Sequence, residues 1–173
     1  LSDIMTVIEK KGGYKDRKIV WVGDGNNVAA SWINAAAVLD LHLVVACPDK
    51  HAVSADIIEK ASAFGGSRTQ YTDDPVSAVK DADVVYTDVW ASMGQEGTLE
   101  EKLADFDGFQ VNARLLSKAK DDVMVMHCLP AHRDEEIAEE ILEAPDSVIW
   151  DQAENKRHMH KAILEALIQE TRD

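Results

Sequence analysis

KIVWVGDGNNV, residues 18–28, is the stretch of the chain that decides the fold class. Its apolar, β-branched run leads at once into a turn with two glycines, and a helical pattern follows over residues 28–39. A strand that passes directly into a helix across a glycine turn is typical of the start of a β-α-β unit. This stretch therefore predicts a parallel sheet covered by helices.

The same alternation of short β-branched runs and helical patterns continues along the chain. After the first strand at 18–22, candidate strands lie at 42–46, 69–71, 83–87, 123–126 and 148–150. Candidate helices lie at 28–39, 54–64, 75–80, 113–118 and 134–142. The run Val84-Val85-Tyr86 is apolar on both faces, so both faces of the sheet need covering. The predicted fold is α/β: one doubly wound, mostly parallel, Rossmann-like sheet with helices on both faces.

Local signals mark several element ends. Three polar residues are the expected N-caps of their helices: Ser54, Asp74 and Asn112. The Gly65-Gly66 pair is expected to end the helix before it. Residues 93–103 and 105–108 have the composition of loops, and the first of these is long for a compact domain.

Both ends of the chain have helical patterns of their own. Residues 2–11 place apolar side chains on one face before a Gly12-Gly13 break, and residues 154–171 carry an apolar stripe. Helices of this kind can pack on the sheet of their own domain or bridge to another domain. The chain thus divides into a leading helix at 1–11, an α/β core at 17–151 and a closing helix at 154–171.

The charge is strongly negative, with 18 Lys plus Arg against 32 Asp plus Glu and a net charge of −14. A field of that sign repels phosphate backbones and anionic lipid, which argues against nucleic-acid and membrane partners. No apolar run approaches the roughly 20 residues of a membrane span, and the first residues lack a signal-peptide pattern. Cys47 and Cys128 are far apart without CxxC spacing, so we expect a reducing, cytoplasmic setting.

Ligands of an open parallel sheet bind outside the carboxyl ends of its strands, where the strand order reverses. After the first strand comes GDGNNV at 23–28, in which the glycines permit a close approach and the helix start offers N–H groups to a phosphate or carboxylate. A tight turn capped by Asn explains the same residues. As a dinucleotide fingerprint the turn is incomplete, because Val28 replaces the third glycine, and Asp49 matches the ribose-binding acid only loosely.

After the fourth strand comes DVWASMG at 88–94. A carboxylate at a strand end, a small hydroxyl and a glycine suit a loop that closes on an amine. Asp88 is the expected ammonium ligand, and Ser92 the expected hydrogen-bonding partner. Trp90 and Met93 are costly to expose, which favours this hypothesis over an ordinary solvated loop.

After the fifth strand comes HCLPAHR at 127–133, where His, Cys and Arg together indicate acyl-transfer or anion chemistry. A nucleophilic pair of Cys128 with His127 is disfavoured, because neighbouring strand residues point to opposite faces. The Leu129-Pro130 bond is a candidate cis peptide. His158 and His160 stand two apart on a helix and face different ways, so no metal site is expected there.

With these loops placed, the chain closely resembles the second domain of the ornithine carbamoyltransferases. The resemblance rests on WVGDGNNV at 21–28, DVWASMGQE at 88–96, FQVNARLL at 109–116, HCLPAHR at 127–133 and DQAEN at 151–155. The segments follow the family's order and spacing and span essentially the whole chain. The Ser-Met-Gly loop favours ornithine over aspartate as the acceptor.

The resemblance implies transfer of a carbamoyl group from carbamoyl phosphate to the δ-amine of L-ornithine, giving citrulline and phosphate, as part of arginine metabolism. It implies no metal and no organic cofactor. The substrate's α-carboxylate then binds Asn27 and its α-ammonium binds Asp88, while Ser92 and Met93 contact the same end.

At the other end of ornithine, the resemblance places Cys128 and the Cys128–Leu129 backbone beside the δ-amine and the carbamoyl group. The family has Arg directly after Glu-Asn, whereas this chain has Lys156 there, followed by Arg157. An ammonium does not reproduce a planar guanidinium fork, and a shift of one helical residue turns a side chain by about 100°. We expect Lys156 to take the catalytic position beside Cys128, with Arg157, His127 and Arg133 as further candidates.

The family's Ser-Thr-Arg-Thr phosphate loop and His-Pro-x-Gln stretch do not occur in this chain. The carbamoyl phosphate-binding domain is therefore expected to lie outside it, the two terminal helices to be interdomain helices, and the chain alone to be inactive. The complete enzyme of this family is a homotrimer or a multiple of trimers.

Three other hypotheses remain open on the sequence. One is a carbamoyltransferase for another amine such as putrescine, although Asp88 and the Ser-Met-Gly loop favour an amino-acid end group. A second is the dinucleotide-binding domain of a dehydrogenase, which leaves HCLPAHR unexplained. A third is a non-catalytic regulatory relative, suggested by the substituted arginine.

Overall fold

Five parallel strands form the single sheet of the computed structural model, which describes residues 1–64, 68–91 and 99–170. They are β1 Lys18–Val22, β2 His42–Ala46, β3 Gln70–Thr72, β4 Val84–Thr87 and β5 Met124–His127. Their order is β3-β2-β1-β4-β5, so the chain runs outward from β1 and then returns to its other side. The order reverses between β1 and β4, and a crevice opens at that point in folds of this kind.

Helices cover both faces of the sheet, as the doubly apolar strands predicted. They are α1 Ser2–Lys11, α2 Asn27–Leu39, α3 Ala55–Ser62, α4 Pro75–Val79, α5 Leu99–Asp105, α6 Ala113–Leu116, α7 Glu139–Leu142 and α8 Ile149–Glu170. Within β1, Ile19 and Trp21 belong to the apolar cluster on one face, and Val20 and Val22 to the cluster on the other. The doubly wound α/β fold class is therefore confirmed.

The polar N-caps hold two helices as expected. The Asp74 carboxylate accepts from the backbone N–H groups of Val76 and Ser77, and Asn112 accepts from that of Leu115. Ser54 occupies the N-cap position of α3, but its hydroxyl donates to the Asp56 carboxylate and makes no cap bond. The expected glycine C-cap at 65–66 lies outside the described residues.

Three predicted elements are corrected. The strand predicted at 148–150 is wrong, because these residues lead into α8, with Ile149 buried and Trp150 exposed. An apolar triplet has no periodicity that distinguishes a strand from a helix start. The predicted helix at 134–142 is only Glu139–Leu142, because Ile137 instead forms bridges to Val111 and Arg133.

The third correction concerns the predicted loop at 93–103, of which 99–103 belong to helix α5. Residues 92–98 lie outside the described part. No helix among the described residues has the length and hydropathy to cross a membrane.

The terminal helices α1 and α8 pack against each other through two buried amides of α8. Asn155 donates to the Thr6 hydroxyl (3.0 Å) and to the Glu9 carboxylate (2.6 Å). Gln152 donates to the Tyr86 hydroxyl of β4 (3.0 Å) and to Asp3 of α1 (2.9 Å), and its oxygen accepts from the backbone N–H of His127 (2.9 Å). The two helices therefore dock on the sheet of their own domain.

The far end of α8 presents apolar side chains to solvent. Leu164, Leu167 and Ile168 are each more than half exposed, at 59%, 55% and 52%. A row of large apolar residues on one helix is typical of a surface that another structure covers.

The turn after β1 is closed by the chain itself. The Gly25 N–H donates to the His51 carbonyl (2.8 Å). A Cβ at Gly25 would lie 2.4 Å from that carbonyl oxygen and 2.4 Å from the Val53 nitrogen. Glycine at this position is therefore required by the close approach of residues 51–53.

Replacing Gln152 by Ala is expected to lower the free energy of unfolding by about 2–4 kcal/mol, because buried donors lose their partner. Urea unfolding of the chain measures this. Gln169→Ala, on an exposed turn of the same helix, should change the value by less than about 0.5 kcal/mol. Equal effects of the two substitutions would contradict the role given to Gln152.

Gly25→Ala is expected to lower the free energy of unfolding by about 3 kcal/mol, because backbone atoms of residues 51–53 must move. Gly12 is the control: it has a positive φ of 73° with nothing within 4 Å of an added Cβ. Gly12→Ala should lower the free energy of unfolding by only about 1 kcal/mol, the strain of an alanine in the left-handed conformation. If thermal and urea unfolding rank the two variants in the opposite order, the packing argument fails.

Candidate functional site

The carboxylate of Asp88, directly after β4, is the centre of the crevice between β1 and β4. One of its oxygens accepts from the Cys128 thiol and from the Val89 backbone N–H, each at 2.8 Å. The other accepts from the Asn26 side-chain amide at 2.7 Å. Asp88 is only 6% exposed. The loops after β1, β4 and β5 thus meet at one buried carboxylate, as the rule for strand ends predicts.

Asn26 and Asn27 have different positions although they are neighbours. The Asn26 oxygen accepts from the N–H groups of Val28 and Ala29, which caps α2. Those two donors are therefore occupied, and the tight turn capped by Asn is observed. The anion site at the start of α2 stays a prediction, and it now rests on Asn27 rather than on these N–H groups. Asn27 is the exposed first residue of α2, and its side-chain amide has no hydrogen bond to any residue within the described ranges.

Cys128 carries a protonated thiol. Burial raises the pKa of this thiol well above its usual range, and the neighbouring Asp88 charge and hydrogen bond raise it further, against a smaller opposing effect of Lys156. The thiol is consequently a hydrogen-bond donor to Asp88. A thiolate nucleophile is disfavoured by this environment.

His127 is buried, and both of its ring nitrogens form hydrogen bonds with groups other than the Cys128 thiol. Its Nδ1 accepts from the Leu129 backbone N–H (2.8 Å), so the proton of the neutral ring is on Nε2, which donates to Glu136 (2.9 Å). The Cys128–His127 nucleophilic pair is thereby excluded. The Leu129–Pro130 peptide is cis, and Leu129 has a positive φ of 57°.

Lys156 reaches the site from α8. Its ammonium donates to the backbone carbonyl of Cys128. Arg157 instead pairs with Glu154 on the solvent side of α8, and its side chain is 69% exposed. Arg133 also points away from the site, because its guanidinium donates to Glu143. This hydrogen bond raises the pKa of the Arg133 guanidinium. The charges of Arg157 and Arg133 therefore face solvent rather than the crevice.

The remaining predicted contacts fall on the loop after β4. Ser92 and Met93 lie outside the described residues. Trp90 is buried and stacks on Phe106 with ring centroids 5.0 Å apart. Lys102 of α5 donates to the Trp90 carbonyl (2.9 Å) and to the Asp24 carboxylate (3.1 Å), which ties α5 to the turn after β1.

Sequence reasoning missed Asn26, Lys102 and Gln152. The N-cap rule supplied a signal for Asn26, since it immediately precedes the helix. The Lys102–Asp24 pair joins residues far apart in the sequence, and no local pattern indicates such a contact.

Comparison with known proteins gives one consistent result. The profile of the aspartate/ornithine carbamoyltransferase family, Asp/Orn binding domain, matches residues 15–167. An ornithine carbamoyltransferase of Desulfotalea psychrophila is 56% identical over 97% of this chain and 55% of its own length. An anabolic ornithine carbamoyltransferase of Pyrococcus furiosus is 52% identical over 95% of this chain and 53% of its own length.

Solved structures agree with the sequence relatives. The Pyrococcus furiosus ornithine carbamoyltransferase structure has a TM-score of 0.87 at 51% identity, covering 94% of this chain and 53% of its own. That of Giardia lamblia has a TM-score of 0.85 at 29% identity, covering 94% and 56%. The chain spans about half the length of the curated relatives that it matches. By profile, identity and fold, the chain belongs to the aspartate/ornithine carbamoyltransferase family, of which it carries the Asp/Orn binding domain.

Proposed function

We propose that this chain is the ornithine-binding half of a cytoplasmic ornithine carbamoyltransferase of arginine metabolism. The reaction transfers a carbamoyl group from carbamoyl phosphate to the δ-amine of L-ornithine. The observation that carries the proposal is the buried Asp88 carboxylate, held at the strand-order reversal by Asn26 and Cys128. Family membership supplies the reaction class.

Asp88 provides the carboxylate for the α-ammonium of ornithine. The thiol of Cys128 and the amide of Asn26 already donate to this carboxylate, so an arriving ammonium shares or replaces these weaker donors. Asn27, at the exposed start of α2, offers the α-carboxylate an amide that has no hydrogen bond to the part of the chain that the structure describes. Ser92 and Met93 complete this end of the site in the proposal.

The δ-amine end lies at the Cys128–Leu129 backbone. The amine must be neutral to attack the carbamoyl carbon. The new C–N bond forms, the C–O bond to phosphate breaks, and the proton lost by the amine is taken up by the departing phosphate. The Lys156 ammonium beside the Cys128 carbonyl opposes a second positive charge there, which favours the neutral amine. It also supplies positive charge for the developing oxyanion. Cys128 and Lys156 are therefore the proposed catalytic pair.

A nucleotide is not the occupant that this crevice favours. The close approach of His51 and Val53 to Gly25 fills the space over the glycine turn, where a dinucleotide would place its pyrophosphate. Asp49, the loose match to a ribose-binding acid, is an exposed residue of a short 3₁₀ turn, Asp49–His51.

In the proposal, carbamoyl phosphate binds mainly to a second domain outside these 173 residues, and the complete enzyme is a homotrimer or a multiple of trimers. The exposed apolar side chains at the far end of α8 support a covering partner. In the proposal α1 and α8 are the helices next to that partner, and the hydrogen bond between Asn155 and Thr6 holds them side by side.

Asp88→Asn in the natural gene product is expected to lower kcat/KM for ornithine by roughly 10- to 150-fold, because an ionic hydrogen bond of about 1.5–3 kcal/mol is lost. The steady-state citrulline assay measures it. Asp40→Asn removes a remote surface charge at a left-handed position that Asn tolerates, and should leave kcat/KM unchanged. An unchanged value for Asp88→Asn would remove Asp88 from the ornithine site.

The 173-residue chain is expected to form no citrulline from ornithine and carbamoyl phosphate, since it lacks the phosphate-binding motifs. The natural gene product is expected to be about twice this size, as two domains require, and active. Intact mass and a citrulline assay on both samples check this. Robust citrulline formation by the 173-residue chain would contradict the proposal that a second domain binds carbamoyl phosphate.

A further inference from the structure

A second group of ligand-type side chains lies behind the site, at the end of the loop that follows β5. We call it the His132 cluster, and it consists of His132, Glu135 and Glu136. One ligand atom from each residue lies within 4.8 Å of the other two. Glu136 is fully buried, whereas the Glu135 and His132 side chains are 32% and 46% exposed. The cluster is therefore closed on one side and open to solvent on the other.

The buried Glu136 carboxylate is incompletely satisfied. Its Oε1 accepts from the His132 backbone N–H (2.8 Å) and from His127 Nε2 (2.9 Å). Its Oε2 is buried and has no hydrogen-bond partner among the residues described. His127 is neutral, because its Nδ1 accepts a hydrogen bond. No full positive charge in the described ranges pairs with this carboxylate, and such burial is costly.

Glu135 adds a second buried carboxylate oxygen without a hydrogen bond. Its Oε2 is buried without a hydrogen bond and lies 3.2 Å from His132 Nδ1. The guanidinium that is nearest in sequence, Arg133, is directed to Glu139 and Glu143 instead. Two neighbouring carboxylates repel each other, and a divalent cation between them removes both the repulsion and the buried charge.

We propose that the His132 cluster binds one divalent transition cation, of the zinc class, through His132 Nδ1 and one oxygen of each glutamate. An imidazole and two carboxylates form a ligand set that such ions accept, with water at the open position. Tetrahedral zinc ligands at about 2.0–2.2 Å lie about 3.4 Å from one another. The ligand atoms now lie within 4.8 Å of one another. Small side-chain rotations of the partly exposed His132 and Glu135 would bring them to the shorter zinc spacing, while the buried Glu136 stays in place.

The other group of ligand-type residues, Asp88, His127 and Cys128, is a poorer candidate. Its thiol donates to Asp88, and both nitrogens of His127 are engaged. A metal there has to break the hydrogen bond between the thiol and Asp88 and one of the two His127 hydrogen bonds. The His132 cluster instead offers two oxygens without hydrogen bonds among the described residues. The ion in the cluster would hold the far end of the loop that carries the Cys128–Leu129 backbone, where Glu136 is already hydrogen-bonded to His127 at the start of that loop.

The test is a calorimetric titration of the metal-stripped chain with zinc chloride. One zinc per chain is expected, and Glu135→Gln and His132→Gln should each weaken its binding at least about tenfold, as loss of a metal contact does. Circular dichroism and urea midpoints establish that both variants fold, which their partial exposure favours. Absence of a stoichiometric zinc site in the unmodified chain would overturn the proposal.

Two controls locate the ion. His158→Gln alters another His–Glu contact, that of His158 with Glu154 at 3.4 Å, in an exposed place without a buried carboxylate. Cys128→Ser removes the thiol of the competing group. Both should leave zinc affinity unchanged, and the cobalt derivative should show no thiolate charge-transfer absorption. Loss of binding in Cys128→Ser, or equal losses in His158→Gln and His132→Gln, would refute the assignment to the cluster.

Discussion

The side-chain amide of Gln152 is the interaction on which the rest of the structure depends. It is fully buried and joins the end of β5, the middle of the sheet and α1 to α8. Lys156 lies four residues later, on the same face of α8. By fixing where α8 begins relative to β5, Gln152 therefore also fixes where the ammonium of Lys156 meets the Cys128 carbonyl. Core packing and site geometry follow from the same buried group.

The site that results is built from fixed charges and donors rather than from an activated nucleophile. Asp88 accepts hydrogen bonds from Asn26, Val89 and Cys128, and burial beside this carboxylate raises the pKa of the Cys128 thiol. His127 is occupied with orienting the backbone at Leu129. Such an arrangement suits a reaction in which the substrate amine is the nucleophile and the protein contributes position and electrostatics.

The sequence predicted the elements that carry a periodic signal, and it failed where that signal is absent. The first strand, 18–22, is found with the predicted bounds. The apolar triplet 148–150 is too short to show a helical period, so its position at the start of α8 could not be predicted. For the candidate site, the rule of strand carboxyl ends predicted that the loops after β1, β4 and β5 meet, and they do. It did not reveal that Asn26, rather than its neighbour, contacts Asp88, nor that Lys102 ties α5 to the turn after β1. Those contacts depend on side-chain directions and on partners distant in sequence.

The strand order also predicts a sequence of events in folding. The pairs β1–β2 and β2–β3 join segments close in the chain, so this half of the sheet can form from the earlier residues alone. Pairing of Ile19 with Val84 has to close a much longer loop, and non-local closure of this kind slows folding. Until β4 arrives, β1 presents an unpaired, apolar edge that another chain can occupy. The crevice of Asp88 is created by this step, and its partners Cys128 and Lys156 follow later in the chain. The binding site therefore needs most of the 173 residues to be synthesised.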